Sequence, residues 1–217
     1  MEQINKRTNE PKKLVKFRKK YRLTEKIRLD KNIDFKDLDQ TINQHLRNIL
    51  LEDQGFLCCY CQKRIPENKL PKTKIEHFLC QENNKDKIFD FRNLFIACNG
   101  KIGQIETCDT SKKSKELKSV DFFNVGIFSM IKFTKTGYMY SDDHSIEDDL
   151  KVLNLNDQNL MKSRQSIYKS IQNIKKHIHK KGGDFDFKIG KVRKEWEDKD
   201  ENGKYKEFKG TGLYYLR

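Results

Sequence analysis

The stretch 58-CCYCQKRIPENKLPKTKIEHFLCQENNKDKIFDFRNLFIACNGKIGQIETCDTSK-112 holds all six cysteines of the chain. Cys58 and Cys61 have the C-x-x-C spacing that lets two thiolates reach one metal across a tight knuckle. Zinc in a structural role takes four N or S ligands in a closed tetrahedron, and Cys98 with Cys108 supplies the second pair. Between the pairs lie Glu76, His77 and Asn93, residue types that bind a hard cation or move a proton. A loop-rich unit stapled by Zn2+ and carrying a polar constellation reads as a site rather than a core. Cys59 cannot pair with Cys61 across one residue and reads as buried and inert. Cys80 is the alternative ligand should Cys98 not serve.

Around this unit the pattern is helical and sparse. Apolar residues Phe35, Leu38, Ile42, Leu46, Ile49 and Leu50 recur at three and four, predicting one amphipathic helix from Ile33 to Asp53, with His45 on its surface. Lys74 to Leu79 fits a short strand bearing the Glu-His pair. Phe91 to Cys98 reads as a short helix that Asn93 could cap, followed by a loop marked by Gly100 and Gly103. A second short helix is expected from Asp109, as its cap, towards Leu117. Phe122 to Tyr140 predicts a hairpin about Thr136-Gly137. Asp142, Asp143, Glu147, Asp148 and Asp149 form an acidic run that reads as a solvated loop. Asp157 should cap a long helix to Lys181, closed by Gly182-Gly183. Its apolar face runs through Leu160, Ile167, Ile171, Ile174 and Ile178. Residues 182–217 carry Trp196 and Tyr205 in charged sequence without a legible role.

Only 35% of the 217 residues are hydrophobic and 36% are charged, so the core is small and a metal staple would compensate. With no secretory leader and no run of about 18 apolar residues, cysteine usage points to zinc in a reducing cytoplasmic setting, with no membrane partner. The net charge is +14, concentrated in residues 1–31. Lys12, Lys13, Lys16, Arg18, Lys19 and Lys20 make that segment a candidate nucleic-acid-binding arm.

The order Cys-x-x-Cys, acid-His, Asn-Leu, Cys and Cys-Asp-x-x-Lys resembles the zinc-stapled HNH endonucleases of the ββα-metal (His-Me finger) group. With Leu46 to Leu51 ahead and Leu153-Asn154-Leu155-Asn156 and Arg164 behind, it is similar to the PtuB-like HNH proteins of Septu and retron anti-phage systems. The resemblance implies an α+β fold: a zinc-stapled ββα-metal HNH core with flanking helices and a small β-hairpin. Its division would be a basic arm at 1–31, a helix plus nuclease core at 32–120, and a hairpin and helical extension at 121–217. It implies His77 as general base, Asn93 orienting it or steadying its loop, and Glu76 and Asp109 as ligands of a catalytic Mg2+ or Mn2+. Lys112 would face the phosphate. It further implies a DNA or RNA substrate and a PtuA-like ABC/SMC-type ATPase as partner. A non-catalytic zinc module binding nucleic acid or a protein remains the alternative, and a redox dithiol protein a weaker one, since no βαβ pattern surrounds Cys58-Cys61.

Overall fold

The computed structural model describes residues 1–21, 33–66 and 73–217, which form an α+β molecule of short strands and mostly short helices. The rest of the expected basic arm, residues 22–31, lies outside the described residues. Residues 1–21 are docked. Helix α1 (Lys12–Lys20) buries Leu14 and Phe17, and Met1 and Ile4 are buried ahead of it. Lys6 is drawn over the rings of Phe91 and Phe95 and donates to the carbonyls of Phe91 and Leu94. Charge hid these anchors, since only a few apolar side chains hold a segment that is otherwise Lys-rich.

The helix expected over Ile33–Asp53 is two pieces. Asp34 caps a single turn at Phe35–Asp37, the chain extends at Leu38, and Asp39 caps α2 (Gln40–Asp53). Two acidic caps five residues apart restart the helix instead of continuing it. Helix α2 buries Leu46, Ile49, Leu50 and Leu51. From its end, Gln54 reaches across: its amide donates to the carbonyls of Leu57 and Ile96 and accepts from the amide of Ile96 at 2.7–2.8 Å.

Strand β1 (Thr73–His77) pairs antiparallel with β2 (Leu94–Cys98), placing Glu76 opposite Phe95 and His77 opposite Leu94. Residues 91–98 are therefore not a helix. One turn at Phe91–Asn93 gives way to β2, whose Leu94, Phe95, Ile96 and Ala97 are all buried. A strand covered on both faces shows no alternation, so its sequence is indistinguishable from a buried helical run. The 98–108 connection holds its own hairpin, β3 (Lys101–Ile102) with β4 (Ile105–Glu106), turning at Gly103 with φ +61°. Helix α3 spans only Cys108–Lys112 and stops where Lys113 takes φ +54°. It packs on β2, completing a strand–strand–helix unit.

Beyond it, Asn124 caps α4 (Val125–Ser129), so only β5 (Lys132–Phe133) and β6 (Met139–Tyr140) remain of the expected long hairpin. The acidic run is structural. Asp143 caps α5 (His144–Val152), and buried Asp149 accepts from the amides of Lys118, Ser119 and Val120 at 2.8–2.9 Å. Asp157 caps α6 (Gln158–Lys181) as the sequence predicts, and Gly182 ends it at φ +67°. The charged remainder folds into α7 (Phe185–Glu197) and α8 (Lys209–Tyr215), which pack on each other and on α6. Among the described residues no helix is long and apolar enough to cross a membrane.

Candidate metal centre and adjoining polar site

The sulfurs of Cys58, Cys61, Cys98 and Cys108 all lie within 4.8 Å of one another. Separations are 3.9 Å for Cys58–Cys108, 3.8 Å for Cys61–Cys98 and 3.7 Å for Cys98–Cys108. A tetrahedron with Zn–S bonds of about 2.3 Å has edges of about 3.8 Å, so the four thiols fit an ion such as zinc. The knuckle is shaped by the backbone: the amide of Gln62 donates to Cys58 O, and Cys58 N to Lys63 O, each at 3.0 Å. The amide of Cys98 points at Cys58 Sγ, 3.3 Å away. Cys108 takes φ +55° and is held there by its amide bond to Leu153 O at 2.8 Å. Cys80 is not in the group. Cys59 is buried, its thiol pushed up by burial, as expected of an inert side chain.

The Leu153–Asn156 segment serves this second knuckle. Asn154 Nδ2 donates to Glu106 O at 2.8 Å, while Arg164 ties the segment to the hairpin through Leu155 O at 2.8 Å and Gly137 O at 2.6 Å. Arg164 is 1% exposed and its Nη1 has no hydrogen-bond partner. Burial lowers its guanidinium to about 10.

Beside the cysteines, β1 and α3 open a surface depression of about 360 Å³ whose lining includes Glu76, His77, Asp109 and Lys112 with Lys74, Cys80 and Glu82. Glu76 and His77 are neighbours on a strand, and His77 is fixed by what its ring meets. Its Nε2 lies 2.9 Å from Ile88 O, and Phe35 packs edge-on at 4.7 Å. A carbonyl only accepts, so Nε2 carries the hydrogen and Nδ1 keeps its lone pair. Burial pushes His77 down to about 4, keeping the ring neutral at ordinary pH.

Glu76 Oε1 accepts from Tyr60 Oη at 2.7 Å and from Lys112 Nζ at 2.8 Å. Lys112 also reaches His77 O at 3.2 Å and is 1% exposed. Its ammonium is therefore engaged with Glu76 rather than turned outward. Lys74 Nζ pairs with Asp109 Oδ2 at 2.9 Å. Burial and the adjoining Asp109 carboxylate raise Glu76 to about 8 against the pull of Lys112. Burial also opposes the ionisation of Asp109, but the hydrogen bond from Glu76 and the Lys74 ammonium hold it below its usual range.

Asn93 does not line the depression. Buried beneath, its Oδ1 accepts from Leu79 N at 2.7 Å and its Nδ2 donates to Leu79 O and Lys87 O at 3.1 Å. It pins both ends of the 79–88 loop that brings Ile88 O to His77, and it caps no helix. Asp109 lies in the first turn of α3 with Thr107 at the cap position. Two participants escaped sequence reading, Tyr60 and Lys74. Tyr60 sits inside the C-x-x-C, a position whose burial against β1 only the fold reveals.

The candidate nucleic-acid residues occupy α1. Lys12, Lys13, Lys16, Lys19 and Lys20 are exposed along it, while Arg18 is paired with Glu10. Compared with models of known protein families and with curated proteins, the chain matches none.

Proposed function

We propose that the chain is a metal-dependent HNH endonuclease that hydrolyses nucleic-acid phosphodiester bonds. The observation that carries this reading is the depression where Glu76, His77, Asp109 and Lys112 meet beside four clustered thiols. In this reading zinc on Cys58, Cys61, Cys98 and Cys108 is structural and takes no part in the reaction. Glu76 and Asp109 would hold Mg2+ or Mn2+, which supplies charge neutralisation at the scissile phosphate and leaving oxygen. Two adjoining carboxyls suit a hard divalent cation, whose charge relieves the repulsion between them.

His77 Nδ1 would take the proton of the attacking water as the P–O3′ bond breaks. A neutral imidazole with its tautomer set by Ile88 O is prepared for that task. Asn93 acts through the loop it pins, as a positioning residue. Lys112 and Tyr60 aim the Glu76 carboxyl, a different role from the phosphate contact the resemblance implies for Lys112. An anti-phage effector role with an ABC/SMC-type ATPase belongs to the same proposal and rests on the resemblance alone.

One observation favours a second reading. Both carboxyls already have ammonium partners, Lys112 on Glu76 and Lys74 on Asp109. A non-catalytic zinc module would keep such pairs permanently. Digestion of plasmid and of RNA with Mg2+ or Mn2+, with and without the ATPase, separates the two. The nuclease reading expects cleavage that His77→Ala abolishes. Intact substrates under every condition, or cleavage unchanged by His77→Ala, would overturn it.

A further inference from the structure

Helix α6 carries a pattern that the hydrolytic site does not use. Its inward seam runs Leu160, Arg164, Ile167, Ile171, Ile174 and Ile178, alternating steps of four and three. Two residues beyond each seam position, about 200° around the helix, stand Lys162, Ser166, Lys169, Asn173, Lys176 and Lys180. All six are exposed, so the stripe faces directly away from the core.

The charge on this helix is one-sided. With 32 acidic residues in 217, a 24-residue helix would hold three or four at the chain's average density, yet α6 holds none. The four stripe lysines make no ion pair among the described residues. The helix dipole favours cations at the C-terminal end and accounts for Lys180, but it disfavours Lys162 in the N-terminal turns. At 1.5 Å rise per residue, Lys162, Lys169 and Lys176 repeat every 10.5 Å or so along a straight rod. Only small neutral side chains, Ser166 and Asn173, lie between.

We propose that this stripe is a docking surface for the sugar-phosphate backbone of a double-stranded nucleic acid. The choice of nucleic acid among polyanions rests in part on the nuclease reading; the complementarity to a regular line of negative charge does not. A protein interface would need a buried aromatic or aliphatic anchor, and the stripe has none. Single strands are held by aromatic side chains on which bases stack, also lacking here. Regularly spaced cations suit phosphate contacts, which position a duplex without reading its sequence.

The test is the salt dependence of binding to a labelled 30-base-pair DNA duplex, followed by anisotropy with the full chain and no added divalent cation. Each phosphate neutralised contributes about 0.9 to the slope of log K against log salt. Lys162→Gln, Lys169→Gln and Lys176→Gln together should flatten the slope by about 3 and leave the melting temperature unchanged. Lys115→Gln, Lys135→Gln and Lys151→Gln, an equal loss of charge elsewhere, should change it by less than about 1. Equal flattening by both triple variants would overturn the proposal, as would an unchanged slope, or polyglutamate of matched charge competing as well as unlabelled duplex. Since no bond is cleaved, the result is independent of nuclease activity. Cleavage can fail while the stripe binds, and the reverse.

Discussion

The described residues of 54–112 and residues 158–216 are held by different means. The first region is built from strands of two to five residues and a five-residue helix. Its shape comes from directed bonds: four converging thiols, the Gln54 and Asn93 amides spanning backbone segments, and the buried Glu76–Lys112 pair. The second is three helices closed over the apolar cluster of Ile171, Ile189, Trp196 and Leu216, with Arg164 buried near the start of α6. Directed bonds fix atoms to a fraction of an ångström, as chemistry requires, but fail when one donor is lost. Apolar burial tolerates imprecision and fails in proportion to lost volume. The two regions should therefore break under different insults.

The largest effect is expected at the thiols. Structural zinc centres carry apparent binding free energy on the order of 10 kcal/mol, released only in the folded state. Cys108→Ser, or treatment with a strong chelator, should abolish amide-exchange protection over 54–112 while α6 and α7 stay protected. Cys59→Ala should cost only about 1 kcal/mol, the scale of one small buried group. Melting curves alike for both cysteine variants would remove the distinction between the regions.

Trp196→Ala is the converse. The ring packs so closely on α8 that a Cβ on Gly212 would lie 2.2 Å from it. Truncation should cost about 3–5 kcal/mol and expose amides of α7 and α8. Zinc content and the protection of the four thiols from alkylation should stay at wild-type levels. Loss of zinc in this variant would show the regions to be one cooperative unit.

A smaller effect separates them by pH. His77 is lowered from 6.5 to about 4 in the folded chain, so its contribution is complete above pH 6.5 and is lost as pH falls towards 4. The shift corresponds to about 3 kcal/mol. His77→Gln, which still bonds Ile88 O through an amide, should flatten stability over that window, with no change at pH 8. Superimposable acid limbs for the two proteins would mean that His77 is not sealed as its contacts imply.

Legibility followed the same division in an unexpected direction. Helix α6 could be read to the residue, because Asp157 and Gly182 mark its ends and its seam keeps a strict period. The cysteine set could also be read, since metal-binding spacing survives any intervening fold. Strand β2 could not, because Leu94 to Ala97 are buried on both faces and alternate nothing. The partners of Glu76 were equally hidden. Tyr60 and Lys112 lie 16 and 36 residues away, and only the β1–α3 packing brings them to one oxygen. Helices α7 and α8 escaped because a few apolar residues amid charges suffice once α6 offers a surface.

Residues 205–210 lie along the first knuckle. Tyr205 N donates to Gly55 O, Phe208 N to Gln62 O and Gly210 N to Gln62 Oε1, while Arg64 bonds the carbonyls of Gly55 and Tyr205. The Gly210–Gln62 bond spans 148 positions. At about 5–20 residues per second, a ribosome needs roughly 7–30 s to make the intervening chain. Cys108 emerges well before that, so the four thiols can come together on a nascent chain whose Gln62 still awaits its partner. Assembly would then proceed in two stages during translation, gathering of the thiols first and closure of the knuckle last.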